Sequence, residues 1–88
     1  MKTEFLKQFD KDARNITLQS VRDEISKAIK NVESADKRSE IKGLKKLLGY
    51  KYAFRIRIGD YRIGIFIVKD TVEFARVVHR KDIYKVFP

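Results

Sequence analysis

The chain has 88 residues, 43% of them hydrophobic and 38% charged, a balance that suits a globular domain with one modest core and excludes a disordered tail. It has no cysteine and a single histidine, His79, which excludes disulfides, thiolate metal sites and a multi-histidine zinc site within one chain; no metal and no cofactor is expected. Twenty-one Lys and Arg against 12 Asp and Glu leave a formal net charge of +9, which favours a polyanionic partner such as nucleic acid, a ribosome or an acidic protein.

The charge is unevenly spread. Residues 1–41 hold nine basic and eight acidic side chains, whereas residues 42–88 hold twelve and four. The basic character therefore belongs to the second half. No apolar run approaches the roughly 18 residues of a membrane span. Residues 1–14 lack the apolar stretch of a signal peptide, so cytoplasmic residence without a membrane partner is the expectation. One proline, at position 88, and four glycines leave no linker or repeat, and residues 1–88 are expected to form a single domain.

Met1–Leu6 has room for a short first strand. Phe9, Ala13 and Ile16 then fall on one face of a short helix. Thr17 is the expected N-cap of the next helix, over Leu18–Ser34, where Leu18, Val21, Ile25, Ala28, Ile29 and Val32 recur at helical spacing opposite Arg22, Asp23, Lys27 and Lys30. Ala35–Lys42 reads as a loop. Residues 43–49 (GLKKLLG) fit either a turn of helix or a strand edge.

From Tyr50 the period becomes two. A strand to Ile58, a type II′ turn at Gly59-Asp60, a strand over Tyr61–Val68, a turn near Lys69–Thr71 and a strand over Val72–Arg80 make an antiparallel meander. The tail, Lys81–Phe87, has room for one helical turn. Helices grouped before strands predict an α+β domain, with two N-terminal helices on one face of a small twisted antiparallel sheet.

A two-residue turn at Gly59-Asp60 pairs Ile58 with Tyr61, Arg57 with Arg62 and Arg55 with Gly64. One face then carries Tyr52, Phe54, Ile56, Ile58, Tyr61, Ile63, Ile65 and Ile67 and must meet the helices. The other carries Lys51, Arg55, Arg57, Arg62, Gly64 and Phe66. Like charges directly opposite one another destabilise a sheet. Arg57 facing Arg62 therefore points to a phosphate-binding surface, since guanidinium groups fork onto phosphate oxygens; the bland alternative is a solvated face with scattered cations. Gly64 would let a ligand backbone approach. On the last strand a two-residue turn puts Glu73, Ala75, Val77 and His79 on the basic face, and a three-residue turn puts Phe74, Arg76, Val78 and Arg80 there. The second is preferred, because it spares the core a buried Arg76. Either way His79-Arg80-Lys81 ends the strand near the cluster. Tyr84 reads either as part of a hydrophobic anchor with Ile83, Val86 and Phe87 or as a base-stacking platform and proton donor.

No Ser-His-Asp set, paired catalytic carboxylates, P-loop or GxGxxG is present, and Asp60 and Asp70 lie in turns. Arg, Lys, Tyr and one His suit metal-free RNA cleavage. The RNA's own 2′-OH attacks the adjacent phosphorus, arginines stabilise the charge that builds on the phosphate oxygens, and Tyr84 or His79 moves protons. Arginine itself is a poor general base.

The second half resembles the RelE/ParE toxin superfamily. The matching pieces are Arg55-Ile56-Arg57 on the first hairpin strand, Gly59-Asp60-Tyr61-Arg62 at the turn and His79-Arg80-Lys81-Asp82-Ile83-Tyr84 at the end; the opening strand and helix pair match in order. The resemblance implies a RelE-like fold. RelE-type members cut messenger RNA in the ribosomal A site without metal. It implies catalytic roles for Arg62, Arg80 and Tyr84, and RNA-binding roles for Arg55, Arg57 and Lys81; the basic face and the strand end read above add Lys51 and His79 as RNA-binding candidates. It further implies three partners: messenger RNA, the ribosome, and a cognate antitoxin that wraps the toxin and with it represses their operon. Two features depart from the pattern. RelE-type members often carry lysines where Arg55 and Arg57 stand, and the step from Arg80 to Tyr84 is short. The ParE branch shares the fold but inhibits DNA gyrase and is not a nuclease; a non-catalytic RNA- or ribosome-binding module is the third reading. The basic cluster and terminal tyrosine favour the endoribonuclease.

Overall fold

In the computed structural model, which describes residues 1–88, the chain runs β1 (Lys2–Phe5), α1 (Lys7–Asn15), α2 (Gln19–Ser34), a 3-10 turn at Arg38–Glu40, β2 (Leu44–Lys46), β3 (Ala53–Ile58), β4 (Tyr61–Val68), β5 (Thr71–His79) and α3 (Ile83–Val86). The five strands form one sheet in the order β1-β5-β4-β3-β2. Neighbours are antiparallel except at one edge, where β1 lies parallel to β5 with Lys2 opposite Thr71 and Phe5 opposite Phe74. The sheet is thus mixed, where a wholly antiparallel one was expected. Within residues 43–49, Leu44–Lys46 form the short edge strand β2, with Lys45 opposite Arg55. Strand β3 starts at Ala53, three residues later than the alternation suggested.

Helices α1 and α2 cover one face, as the sequence implied. Phe9, Ile16, Ile25 and Val32 from the helical half pack with Phe54, Ile56, Ile58, Ile63, Ile65, Ile67, Val72, Phe74 and Val77 from the strands. Phe9 and Phe5 each meet the ring of Phe74, at 5.4 and 5.0 Å between centroids. Each such fully buried apolar side chain contributes about 1.5–3 kcal/mol relative to exposure. Thr17 does not cap α2. The N-cap is Leu18, whose carbonyl accepts the Val21 and Arg22 N–H groups at 3.1 Å each. Burial of Ile16 fixes the corner between the helices and leaves Thr17 exposed.

The other face is covered too. Helix α3 and the residues after it fold back over the sheet, so that Ile83 and Phe87 form a second core with Leu47, Ala53 and Ala75, flanked by Phe66 and Val78. Gly64 is explained by this packing. A Cβ there would stand 2.6 Å from two atoms of the Phe87 ring. The space that the sequence suggested for a ligand backbone is filled by the chain's own phenylalanine.

The β4–β5 turn combines both registers considered for the last strand. It has two residues, Lys69 and Asp70, with Val68 opposite Thr71 and Glu73 opposite Phe66. A register shift then leaves Ala75 without a partner, and Arg76 faces Gly64 while Val78 faces Arg62. This β-bulge keeps Phe74 fully buried among the helices and still returns the alternate residues beyond it to the basic face. Lys69 supplies the turn at φ 58, left-handed backbone where glycine is at less cost. No helix is long and apolar enough to cross a membrane.

Candidate functional site

The hairpin register is as the sequence predicted: Ile58 opposite Tyr61, Arg57 opposite Arg62 and Arg55 opposite Gly64. The turn has a positive φ at Gly59 (61°) and none at Asp60, the pattern of a type II′ hairpin. Two arginines therefore face each other across β3 and β4, with Val78 of β5 on the far side of Arg62.

Arg62 is the centre of the cluster. Its Nη1 donates to the carbonyl oxygens of Gly59 (2.7 Å) and Tyr61 (2.9 Å), which holds the guanidinium back over the turn. Partial burial, and then the positive charges of Arg55, Arg57 and Arg80, hold its pKa below the ordinary arginine value, while the Tyr84 phenol works the other way. These four groups are among the residues that the sequence reading proposed for the site. A partly buried cation among cations is a standing electrostatic cost, and an anion placed between them would reduce it.

Arg55 is half-buried and partly engaged. Its Nη1 donates to Gly43 O at 2.8 Å, and its buried Nε has no partner. The Arg57 backbone N–H donates to the same carbonyl at 3.0 Å. Gly43 is required there, because it has φ 72 and a Cβ would lie 2.9 Å from Arg57 O. Arg80 follows β5, and its backbone N–H donates to Asp60 O at 2.7 Å. Its Nε lies 3.6 Å from an Asp60 carboxylate oxygen, with both side chains exposed. Such a pair is worth about 0–1 kcal/mol, which leaves Arg80 available to another anion. Tyr84, on α3, is 64% exposed. The anchor reading holds for its neighbours Ile83 and Phe87, both buried, while the Tyr84 ring itself stays in solvent.

Two other sequence candidates sit apart. His79 faces Tyr61 on the helix side of the sheet, ring edge to ring at 5.6 Å, and its Nδ1 accepts the Lys81 N–H at 3.2 Å. It shapes the turn that carries Arg80 and Lys81. Lys51 precedes β3 in the bend at the opposite end from the Gly59-Asp60 turn, with its Nζ 5.5 Å over the Tyr52 ring. The chain order that placed it on the basic face by alternation fails because the strand has not yet begun there.

Sequence reading passed over Asp12. This buried carboxylate on α1 accepts Arg76 Nε (2.7 Å) and Nη2 (3.2 Å), the Val77 backbone N–H (3.1 Å) and Gln8 Nε2 (3.0 Å). It caps β5 beyond the point where β1 stops pairing. Burial opposes its charge, but the bonds from Arg76, Gln8 and Val77 outweigh burial and hold its carboxyl below the usual range. Only the fold brings α1 to the β5 edge, and no local spacing signals it. No three His, Asp or Glu side chains converge closely enough to hold a metal ion.

A family model described as the ParE toxin of the type II toxin–antitoxin system parDE matches residues 2–84. Toxin RelE3 of Methanocaldococcus jannaschii is 40% identical over 89 residues, covering 100% of both chains. Among solved structures, the RelB–RelE antitoxin–toxin complex from Methanococcus jannaschii is similar at TM-score 0.78 and 37% identity, over 97% of this chain and 99% of that one. The isolated E. coli RelE toxin shares the fold at TM-score 0.66 and 20% identity, over 89% of this chain and 82% of that one. With its sequence matched from end to end and its sheet and helices superimposing on such toxins, the chain belongs to the RelE/ParE family of toxins from type II toxin–antitoxin systems.

Proposed function

We propose that this toxin is a metal-free endoribonuclease that cleaves messenger RNA in the ribosomal A site, and that a cognate antitoxin of RelB type holds it in check. The observation that supports this most is the convergence of Arg55, Arg57 and Arg80 on Arg62, with Tyr84 beside them and a field that favours an anion at their centre. A backbone phosphate is the anion whose size and charge suit it. The arginines bind and orient that phosphate and stabilise the extra charge that develops when the neighbouring 2′-OH attacks. Tyr84 stacks on a base or gives up a proton to the departing oxygen. Lys81, exposed at the start of the tail, adds to the field along the strand. Arginine does not serve as a base at neutral pH, so positioning by the ribosome supplies the rest of the rate.

The test is primer extension on messenger RNA in a translating extract. Cuts within codons are expected from the wild type, unchanged by EDTA at a concentration the ribosomes tolerate. Arg62→Ala and Arg80→Ala should each lower cutting about 10²–10³-fold, the usual effect of removing one group that stabilises transition-state charge. Full cutting by the folded double variant would refute the assignment. The matching family model names ParE, which favours a second reading, inhibition of DNA gyrase; loss of supercoiling with intact messenger RNA would establish that instead.

A further inference from the structure

Beside Tyr84 a groove of about 370 Å³ opens between the segment that follows β2 and the C-terminal tail. Its floor includes the buried Phe87 ring, and its walls carry Leu48, Tyr50 and Tyr84. Leu48 is 96% exposed and Tyr50 is 51% exposed, although a chain this size has few apolar side chains to leave in water. Lys45 and Lys46 stand on the rim, both exposed, and no Asp or Glu side chain lines the groove. Lys46 Nζ donates to Tyr50 O at 2.6 Å, so the lysine also fixes the loop that presents the tyrosine. The size is at the lower end of small-molecule sites.

We propose that this groove is a nucleotide subsite: it takes one base of single-stranded RNA against Tyr50 and Leu48, with the adjoining phosphate on Lys45, which shares the basic face with Arg55, next to the phosphate held at Arg62 and Arg80. Three features select RNA as the occupant. The groove shares Tyr84 with the arginine cluster, its charged side chains are both lysines, and its walls combine flat phenol rings with aliphatic surface, the makeup of a stacking platform. Such a platform selects by stacking strength and not by a full set of base-edge hydrogen bonds, so the preference it confers is graded.

The inference rests on the nuclease reading above, and the experiment separates the two. Cut sites and rates are mapped in the translating extract for wild type, Tyr50→Ala, Leu48→Ser and Tyr50→Phe. These side chains are exposed, and thermal denaturation confirms that the variants fold. Tyr50→Ala and Leu48→Ser are expected to cut on the order of tenfold more slowly, the size of one lost stacking contact, with a weakened base preference at one position flanking the cut. Tyr50→Phe, which keeps the ring, should cut like the wild type. Wild-type rates and preferences in both Tyr50→Ala and Leu48→Ser would overturn the subsite and leave the nuclease standing. No cuts from the wild type itself would bring down both. Unchanged cutting together with a wild-type dimer in sedimentation that dissolves on Leu48→Ser would assign the groove to a second copy of the chain and also overturn the proposal.

Discussion

Replacing Gly64 by alanine perturbs the fold and the site through one contact. The new Cβ would lie 2.6 Å from Cγ and Cδ2 and 2.8 Å from Cδ1 of Phe87, so the ring must retreat about 1 Å to reach an ordinary carbon–carbon separation. Phe87 is only 4% exposed, packs among Leu47, Ala53, Ala75 and Ile83, and meets the Phe66 ring at 5.0 Å. Forcing a methyl into such packing costs about 1–3 kcal/mol. The strand gains back about 0.5–1 kcal/mol from losing a glycine, so a net loss of about 1–2 kcal/mol is expected. At about 4–8 °C per kcal/mol for a domain of this size, the melting temperature falls by roughly 5–15 °C. The decisive assay is a double-mutant cycle by thermal denaturation, with Phe87→Ala as the second change. With the ring gone the methyl has room, and Gly64→Ala should then be neutral or slightly stabilising, giving a coupling of about 1–3 kcal/mol, the cost of the clash itself. An equal loss in both backgrounds would refute the contact as the cause. Because Tyr84 rides on the same tail, the nuclease proposed above should also be slowed by Gly64→Ala at temperatures where the protein is fully folded.

Asp12→Asn leaves Arg76 without its counter-charge and should cost about 1.5–3 kcal/mol, the size of hydrogen bonds to a charged group, or roughly 6–24 °C in melting temperature. Because the folded Asp12 carboxyl is held below its unfolded value, its stabilisation is fully present above the unfolded value near 3.9 and is lost as pH falls through the folded one; the gap between wild type and Asp12→Asn should therefore close in acid, and a gap constant down to pH 2 would contradict the linkage. Arg62→Gln relieves repulsion within the cluster, so its melting temperature should match or exceed the wild type's while cleavage is lost, and sulfate should stabilise the wild type more than this variant; a large drop in stability would show that the bonds to Gly59 O and Tyr61 O matter more than the repulsion. Lys69→Gly, at φ 58, should raise the melting temperature by a few degrees, up to about 1 kcal/mol, and a decrease would mean that glycine's extra unfolded-state freedom outweighs the relief.

The hairpin was legible because two strong local signals agree, strict alternation from Ala53 to Ile58 and a glycine-led two-residue turn. Together they place Arg57 opposite Arg62 without any knowledge of the rest. The last strand was harder. Alternation assumes a regular ladder, and the bulge at Ala75 changes the phase midway, so neither regular register accounts for both Phe74 in the helical core and Val78 beside Arg62. Asp12 and Phe87 were illegible for a different reason. Their partners, Arg76 and Gly64, are far along the chain, and what joins them is the return of α1 and the tail to the sheet. His79 shows the limit of proximity in sequence: it adjoins Arg80, yet alternation sends it through to the opposite face.

The parallel pairing of β1 with β5 orders events in time as well as in space. Lys2 meets Thr71, so the first strand to be synthesised has no partner until almost the last has been made, and its docking waits on the slow closure of a very long loop. Until then Phe9, Ile25 and Val32 have no finished sheet to cover. The arginine cluster draws on β3, β4, the end of β5 and α3, all late in the chain. A fragment that ends before residue 71 therefore has neither a closed sheet nor an assembled cluster, and this toxin becomes able to act only once β5 and α3 have been made.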